Sequence, residues 1–323
     1  MRIAVTGGAG YIGSVCVELL CEAGHEVVVV DNLLEGHRAA VDPRAHLEVA
    51  DLAETERLTG IFRDLGAEAV IHYAAHALVG ESMTNPAKYY RNNVGGGLSL
   101  LEAMVAAVVP KIVFSSTCAS YGLPEKVPID EATPQRPVNP YGHSKLVFEG
   151  MLHWFREVHG LSPVIFRYFN AAGASKRFGE HHRIETHLIP NVLYAAQGRR
   201  REIELFGTDY DTPDGTAVRD YVHVSDLAAI HKQAVEEPVT GAYNLGTGTG
   251  HSVREVIAAC ERVTGRAIPV RECPRRPGDP PVLVAATAKA RNELGWSPRF
   301  TGLEETVRTA WDWHQAHPEG YLD

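Results

Sequence analysis

Thr6-Gly7-Gly8-Ala9-Gly10-Tyr11-Ile12-Gly13 stands between an apolar β-branched run, Arg2–Val5, and an amphipathic stretch, Gly10–Ala23. A strand that feeds a helix through glycines spaced Gly7-x-x-Gly10-x-x-Gly13 has a physical reading. Gly7 permits the tight turn, Gly10 lets a pyrophosphate approach the backbone, and Gly13 allows close packing of helix on strand. Unpaired amides at the helix N-terminus then hold the phosphate charge. A glycine-rich turn alone is weak evidence, and the flanking strand and helix give it weight. Asp31, at the end of the second apolar run, stands where a carboxylate grips the adenosine ribose hydroxyls, the alternative being a turn-capping Asp. A carboxylate there repels a 2′-phosphate, so the expected cofactor is NAD rather than NADP. Asp51 falls either at the adenine or in a solvated loop.

Working outward, Glu26–Val30, Ala69–His72, Lys111–Ser115 and Pro163–Arg167 read as buried parallel strands. Thr55–Leu65, Asn93–Val105 and Tyr141–His159 read as helices between them. This βαβα rhythm predicts an α/β fold, a doubly wound parallel sheet of the Rossmann kind. After about Asn170 the rhythm breaks, and Ala171–Arg219 reads as loop-dominated. Val222–Glu237 resumes a helical pattern and Ala242–Leu245 a strand. Ser252 and Glu255 form a capping box for a helix ended by Gly265, and Thr301 with Glu304 suggests a second box. The expected division is a nucleotide domain of residues 1–170 plus about 220–246. A smaller C-terminal α/β substrate domain takes about 171–219 and 247–323.

Bulk properties exclude several classes. The formal net charge of −9 over 323 residues, with Arg199-Arg200-Arg201 as the one dense cationic run, argues against a nucleic-acid partner. No apolar run approaches the roughly 18 residues of a membrane span. Five scattered cysteines without a CxxC pair, and a chain opening directly on a strand, fit a reducing cytoplasmic compartment with no leader.

Tyr141-Gly142-His143-Ser144-Lys145 opens a helix after Asn139-Pro140, which puts Tyr141 and Lys145 on one helical face. Upstream, Phe114-Ser115-Ser116-Thr117 ends a strand and offers hydroxyls at the sheet's carboxyl edge. Hydride loss from a secondary alcohol requires a base for the hydroxyl proton. An adjacent ammonium and a nicotinamide cation each lower a tyrosine's pKa by about 1–3 units, so Tyr141 is the expected base. Thr117 would orient the alcohol oxygen. The bland alternative is an exposed helical Tyr and Lys beside a strand-end Thr.

Taken together, Thr6–Gly13, His72–Ser82, Tyr89–Val94, Ser115–Gly122, Asn139–Lys145, Arg167–Asn170, Glu185–Pro190, Phe206–Gly215, Val218–Asp226 and Arg275–Asp279 resemble the UDP-glucose 4-epimerases of the extended short-chain dehydrogenase/reductase family. The resemblance runs nearly the full length. It implies an isomerase with tightly bound NAD, acting on UDP-glucose and UDP-galactose through a transient 4-keto sugar, and a homodimer formed through the helices near Asn93–Val105 and Tyr141–His159. It assigns Tyr141 as base, Lys145 also to the nicotinamide ribose, and Thr117 as assistant. To NAD it gives Gly7, Gly10, Tyr11, Ile12, Gly13, Asp31, Asn32, Asp51, Leu52, Tyr73, Ala74, Asn92, Ser115 and Tyr168. On the substrate side it implies Asn170, His187 and Leu188, a diphosphate clamp of Arg219 and Arg276, the ribose ligand Asp279, and a uracil read by backbone at Glu204 and Phe206. Without the resemblance, Arg219 and Arg276 are simply charged residues in a variable half.

Two departures bear on the substrate. Ala77 stands where some relatives have Lys. Leu283 stands where members restricted to unsubstituted hexoses have Tyr, which suggests room for an N-acetylated sugar. A UDP-N-acetylhexosamine 4-epimerase is therefore one alternative. A UDP-glucuronate 4-epimerase is another, with Arg177 or Arg183 meeting the carboxylate. Cys118 and Ala119 after Thr117 disfavour a 4,6-dehydratase, which needs an acid/base pair there. His181, His182, Glu185 and His187 match no metal spacing, so the sequence expectation is no metal.

Overall fold

The computed structural model describes residues 1–276 and 278–322; Pro277, inside the Arg275–Asp279 block, and Asp323 lie outside the described residues. The chain runs β1 (Arg2–Thr6), α1 (Tyr11–Glu22), β2 (Glu26–Asp31), β3 (His46–Val49), α2 (Thr55–Leu65), β4 (Ala69–His72), α3 (Val79–Thr84) and α4 (Pro86–Tyr89). A π-helical turn, Tyr90–Gly96, continues into α5 (Gly97–Ala106), followed by β5 (Lys111–Thr117), α6 (Pro140–His159), β6 (Ser162–Tyr168) and β7 (Asn170–Ala172). Then come α7 (Leu188–Ala196), β8 (Ile203–Phe206), β9 (Val218–His223), α8 (Val224–Glu236), β10 (Gly241–Leu245), β11 (Gly250–Ser252), α9 (Val253–Thr264), β12 (Val270–Cys273), β13 (Val282–Leu283), α10 (Ala288–Leu294) and α11 (Leu303–Ala316).

Among the described residues the main sheet has seven strands in the order β10-β6-β5-β4-β1-β2-β3, every pair parallel. Strand side chains alternate between faces. Ile3, Val5, Val27 and Val29 pack with Val15, Leu20, Leu227 and Ile230 of α1 and α8. Ala4, Val28 and Val30 pack with Leu58, Phe62, Leu100, Phe148 and Leu152 of α2, α5 and α6. Both faces are thus buried, and this is why the β-branched runs are nearly continuous. The strand order reverses between β1 and β4, which opens a crevice at their carboxyl ends.

A second layer holds β11-β9-β13 with β7 beside β9, and the separate pair β12-β8. α7, α9 and α11 close over it through Ile189, Leu193, Val256, Cys260, Val307 and Trp311. The Ser252–Glu255 box forms in both directions, at 3.0 Å and 2.7 Å, and Gly265 caps the helix in the left-handed region.

Several expectations are corrected. Val222 and His223 belong to β9, and the helix begins only at Val224, because that segment is drawn into the second sheet by pairing with Ala171 and Ala172. The stretch taken as loop-dominated contains α7, whose apolar residues are buried nearly all round. No box forms at Thr301: the N-cap is Gly302 without a side-chain bond, and Glu304 is drawn off to Arg262 at 2.6 Å. Finally, the helix expected from Asn93 begins as the π-helical turn.

Phe148 is 1% exposed and packs on Phe114 with ring centroids 4.5 Å apart. Phe148→Ala should destabilise the fold by about 3–5 kcal/mol, seen as a lower urea midpoint at unchanged slope. A change under roughly 1 kcal/mol would mean α6 does not depend on this contact.

Candidate active site

The crevice is built first by backbone. Gly7 has φ 75°, and a Cβ there would meet the Ala74 nitrogen at 2.4 Å, because Tyr73 and Ala74 both donate to the Thr6 carbonyl. A Cβ on Gly13 would meet the Gly7 oxygen at 2.2 Å, whereas one on Gly10 would meet only that oxygen, at 3.4 Å. The crowded glycines therefore hold the turn, and the uncrowded one faces the cleft. Gly10 caps α1 without a side-chain bond, and the first turn carries no acid. The amides of Tyr11, Ile12 and Gly13 are thus left for an anion.

Gly7, Gly10, Asp31, Asn32, Leu52, Tyr73, Ala74 and Asn92 line one cleft, together with Leu34, Glu35, Gly36 and His76, which the sequence did not single out. Asp31 is buried and fixed by amides of Ala9 at 3.1 Å and Leu33 at 2.9 Å. Burial pushes its carboxyl up, and those two amides draw it back down. Asp51 stands one step behind the lining. It accepts from Asn32 at 2.7 Å and from the Ala53 amide at 2.9 Å, so it places Asn32. The phenol of Tyr11 leaves the cleft and donates to the Gly173 carbonyl at 2.6 Å. These features fit a dinucleotide: open amides for its phosphates, a strand-end carboxylate for its ribose, and a narrow apolar slot beside them.

The residues expected to be catalytic meet at the carboxyl edge of β5. Asn139 caps α6 by accepting the Gly142 amide at 2.8 Å, and Pro140 fixes the first turn. Ser144 donates to the Tyr141 carbonyl at 2.7 Å and accepts from Asn93 at 3.0 Å. Asn93 in turn grips both backbone polar groups of His76, at 2.9 Å and 3.0 Å. The sequence analysis did not single out Asn93, which lies in the π-helical turn. π-turns recur at functional sites.

Lys145 donates to the Ser115 carbonyl at 2.8 Å and lies 4.9 Å from the centroid of the Phe114 ring. Ser115 also bonds the Tyr168 hydroxyl. Burial raises the Tyr141 phenol to about 12, with the Thr117 hydrogen bond drawing it down, and burial lowers Lys145 to about 7, with Glu149 opposing. Both charged forms lose solvation here, and the lysine does not by itself acidify the phenol.

Behind this edge lies a residue the sequence reading missed. Glu149, four positions after Lys145 on α6, accepts from Ser116 at 2.5 Å and from Arg167 at 3.0 Å. An acid at that spacing on an otherwise apolar helix face was the available signal.

The substrate-side residues gather on the second layer. Asn170 opens β7 opposite Tyr221. Arg219 is in register with Leu283 and pairs with Asp279. Burial pushes the Cys118 thiol up to about 12, and Arg219 draws it down. Leu283 packs with Cys118, Tyr121, Ile129 and Phe169. Arg276 lies 4.0 Å over the Phe206 ring. Glu204 pairs through its side chain with Arg271, and its strand β8 is hydrogen-bonded on one edge only. Leu188 begins α7, and the His187 imidazole is turned to Glu180 and Glu185, at 2.8 Å and 3.2 Å. His181 leaves the histidine group, stacking on His37 at 4.8 Å.

Comparison with known proteins adds to this geometry. The model of the NAD dependent epimerase/dehydratase family matches residues 3–246. The chain belongs to that family. It is 50% identical to a UDP-glucose 4-epimerase of Streptococcus mutans serotype c, over 100% of this chain and 99% of that one. A crystal structure of a UDP-glucose 4-epimerase superposes with a TM-score of 0.97 at 47% identity, covering 99% of both chains. That of the Bifidobacterium longum enzyme in complex with NAD+ and UDP superposes at 0.95, with 37% identity and 99% and 100% coverage. Family membership makes NAD the cofactor of this chain.

Lys145 yields a pH test. Its folded pKa near 7 lies below the ordinary 10.5, so between those values the unfolded chain binds a proton that the folded chain sheds. Stability from this group therefore rises with pH across that window, and the full burial cost is felt below pH 7. In protein freed of nucleotide, Lys145→Met should be more stable than the parent by on the order of 2–4 kcal/mol at pH 6, the gap closing toward pH 10. Its turnover should fall by roughly 100-fold or more. A gap constant with pH would contradict the burial argument.

Proposed function

We propose that this protein is an NAD-containing isomerase that interconverts UDP-glucose and UDP-galactose by epimerisation at C4. The observation that carries this reading is the meeting of Thr117, Tyr141 and Lys145 at one strand edge, between the glycine cleft and the Arg219 clamp. The relatives' names and the NAD+ and UDP of the similar Bifidobacterium structure support it. Bound NAD supplies reversible hydride acceptance from C4, giving a 4-keto sugar, and a positive nicotinamide charge that favours phenolate at Tyr141. The Tyr141 oxygen takes and returns the 4-hydroxyl proton. Thr117 orients that hydroxyl, and Lys145, held by the Ser115 carbonyl, sets the lysine charge behind the phenol. Arg219 and Arg276 hold the diphosphate with fork-shaped donors, and Asp279 takes the ribose hydroxyls. With the UDP end fixed and few charges toward the hexose, the keto sugar turns about its diphosphate linkage and presents its other face.

Within this reading, residues 1–170 with about 220–246 hold NAD, and about 171–219 with 247–323 hold the UDP-sugar. The glucuronate alternative loses its candidate cations. Arg177 is engaged by Asp42 at 2.5 Å, and Arg183 donates to the carbonyls of Leu33 and Gly36 at 3.4 Å and 3.3 Å. The N-acetylhexosamine alternative keeps its support, since Leu283 packs with Cys118, the residue that follows Thr117.

Purified protein without added NAD should convert UDP-galactose to UDP-glucose and leave UDP-galacturonate unchanged. It should also turn over UDP-N-acetylgalactosamine, and Leu283→Tyr should cut that activity at least tenfold while sparing UDP-galactose. Conversion of UDP-galacturonate alone would overturn the assignment.

The proposal extends to a homodimer in the cytosol. Four buried cysteines and the half-buried Cys273 are all free thiols, as a reducing compartment maintains, and no helix among the described residues is long and apolar enough to cross a membrane. On the two helices near Asn93–Val105 and Tyr141–His159, Leu101 and Met104 are core, whereas Leu98 is 42% exposed and Trp154 and Val158 on α6 are 65% and 69% exposed. A shared apolar face on two packed helices suits an isologous contact. Trp154→Glu should shift the light-scattering mass from dimer to monomer. An unchanged mass would place the interface elsewhere.

A further inference from the structure

Glu180, His182, Glu185 and His187 fall within eight residues, and their ligand atoms all lie within 4.8 Å of one another. The closest approaches are 3.2 Å from His182 Nε2 to Glu180 Oε1, 2.8 Å from His187 Nδ1 to that same oxygen, and 3.2 Å from His187 Nδ1 to Glu185 Oε1. Neighbouring donors of a tetrahedral centre with bonds of about 2.0–2.2 Å stand about 3.3–3.5 Å apart. The cluster is therefore already near the spacing that one small divalent cation imposes.

A second observation is independent of that spacing. The Glu185 side chain is 5% exposed and turned into the cluster, yet its Oε2 has no hydrogen-bond partner. A buried carboxylate oxygen without a donor is costly. The Glu180 carboxylate facing it is 6% exposed, so two acids share a confined space with two imidazoles that are neutral when they act as ligands. A divalent cation offsets both acids and gives the orphan oxygen a partner.

We propose that Glu180, His182, Glu185 and His187 form a structural zinc site. The imidazole pair selects zinc over the hard cations magnesium and calcium, which prefer all-oxygen shells. Four protein ligands leave no open position, so the ion holds structure and takes no part in the chemistry. What it holds is a segment without regular structure of its own, ending where His187 caps α7. His182 also meets the ring of Tyr11 edge-on, with centroids 6.2 Å apart, and Tyr11 stands in the first turn of the phosphate-binding helix. The ion thus fixes the crossing between the cofactor cleft and the substrate layer. This reverses the sequence expectation of no metal, which had grouped His181 with these residues in place of Glu180.

The rival is a protonated His187 bridging the two carboxylates with no ion present. To decide, full-length protein with its bound NAD is stripped with EDTA, loaded with Zn2+ or Mg2+, passed through gel filtration and assayed for metal. The expected result is one zinc per chain, no magnesium, a higher melting temperature with zinc, and the visible absorption of four-coordinate Co2+ on cobalt substitution. Glu185→Gln and His182→Ala should each weaken zinc binding by more than the roughly 10–100-fold that loss of a mere supporting partner costs, while His181→Ala keeps it. Wild-type protein that retains no zinc overturns the proposal whatever the variants do. So does zinc retained equally by the Glu185→Gln/His182→Ala double variant, or lost from His181→Ala alone.

Discussion

Glu149 and Arg167 set opposite charges into the interior between α6 and β6, with side chains 6% and 8% exposed. Removing one partner of such a pair costs about 3–5 kcal/mol, because the other is left uncompensated, so the pair persists only as a fully satisfied unit. Here every arm is used. Glu149 accepts from Ser116 at the end of β5 and from Gln135 at 3.2 Å. Arg167 reaches Tyr121 at 3.0 Å, and Tyr121 donates to Asn244 of β10 at 2.8 Å. Asn244 donates to the Ile129 carbonyl at 2.9 Å, and the Ile129 amide bonds the Val284 carbonyl just after β13. One continuous polar chain therefore runs from beside Thr117 to beside Leu283. It fixes the strand that carries the catalytic hydroxyl against the strand that shapes the sugar side, where apolar packing alone would tolerate sliding.

The same burial that makes this network firm governs the charges in front of it. Tyr141 and Lys145 are both driven toward their neutral forms, and Asp31 is pushed the same way. None of these groups is activated by the fold alone. Under the proposed function, a cofactor that brings its own positive charge into this poorly screened space favours the phenolate at Tyr141.

The parts of this arrangement legible in the sequence were those where one residue type answers one local demand. The glycines of the first turn, Asp31 at a strand end, the Tyr141–Lys145 spacing and the Ser252–Glu255 box are of this kind. What was not legible depends on distant chain. Val222 and His223 satisfy a helical periodicity and are taken by a sheet, because β7 lies alongside. Thr301 and Glu304 have the spacing of a capping box, but Arg262 attracts the acid. The π-helical turn moves Asn93 onto the cleft side by a local change of pitch that no periodicity records. Glu180 escaped notice for the opposite reason: its neighbour His181 looked the better ligand, and only the backbone path shows His181 turning away to His37.

That backbone path also ties residues 173–187 to the glycine cleft. Residues 173–187 lie across the nucleotide-binding half rather than beside it. Tyr11 bonds the Gly173 carbonyl, His37 meets the His181 carbonyl at 3.1 Å, Arg177 holds Asp42, and Arg183 caps the carbonyls of Leu33 and Gly36. Leu34, Glu35 and Gly36 form the outer rim of the cofactor cleft. Opening that rim means breaking several of these contacts together. Residues 173–187 also start directly from β7, whose Ala172 pairs with His223 of β9. The glycine cleft and the strand that carries Arg219 are therefore tied through one connected run of backbone.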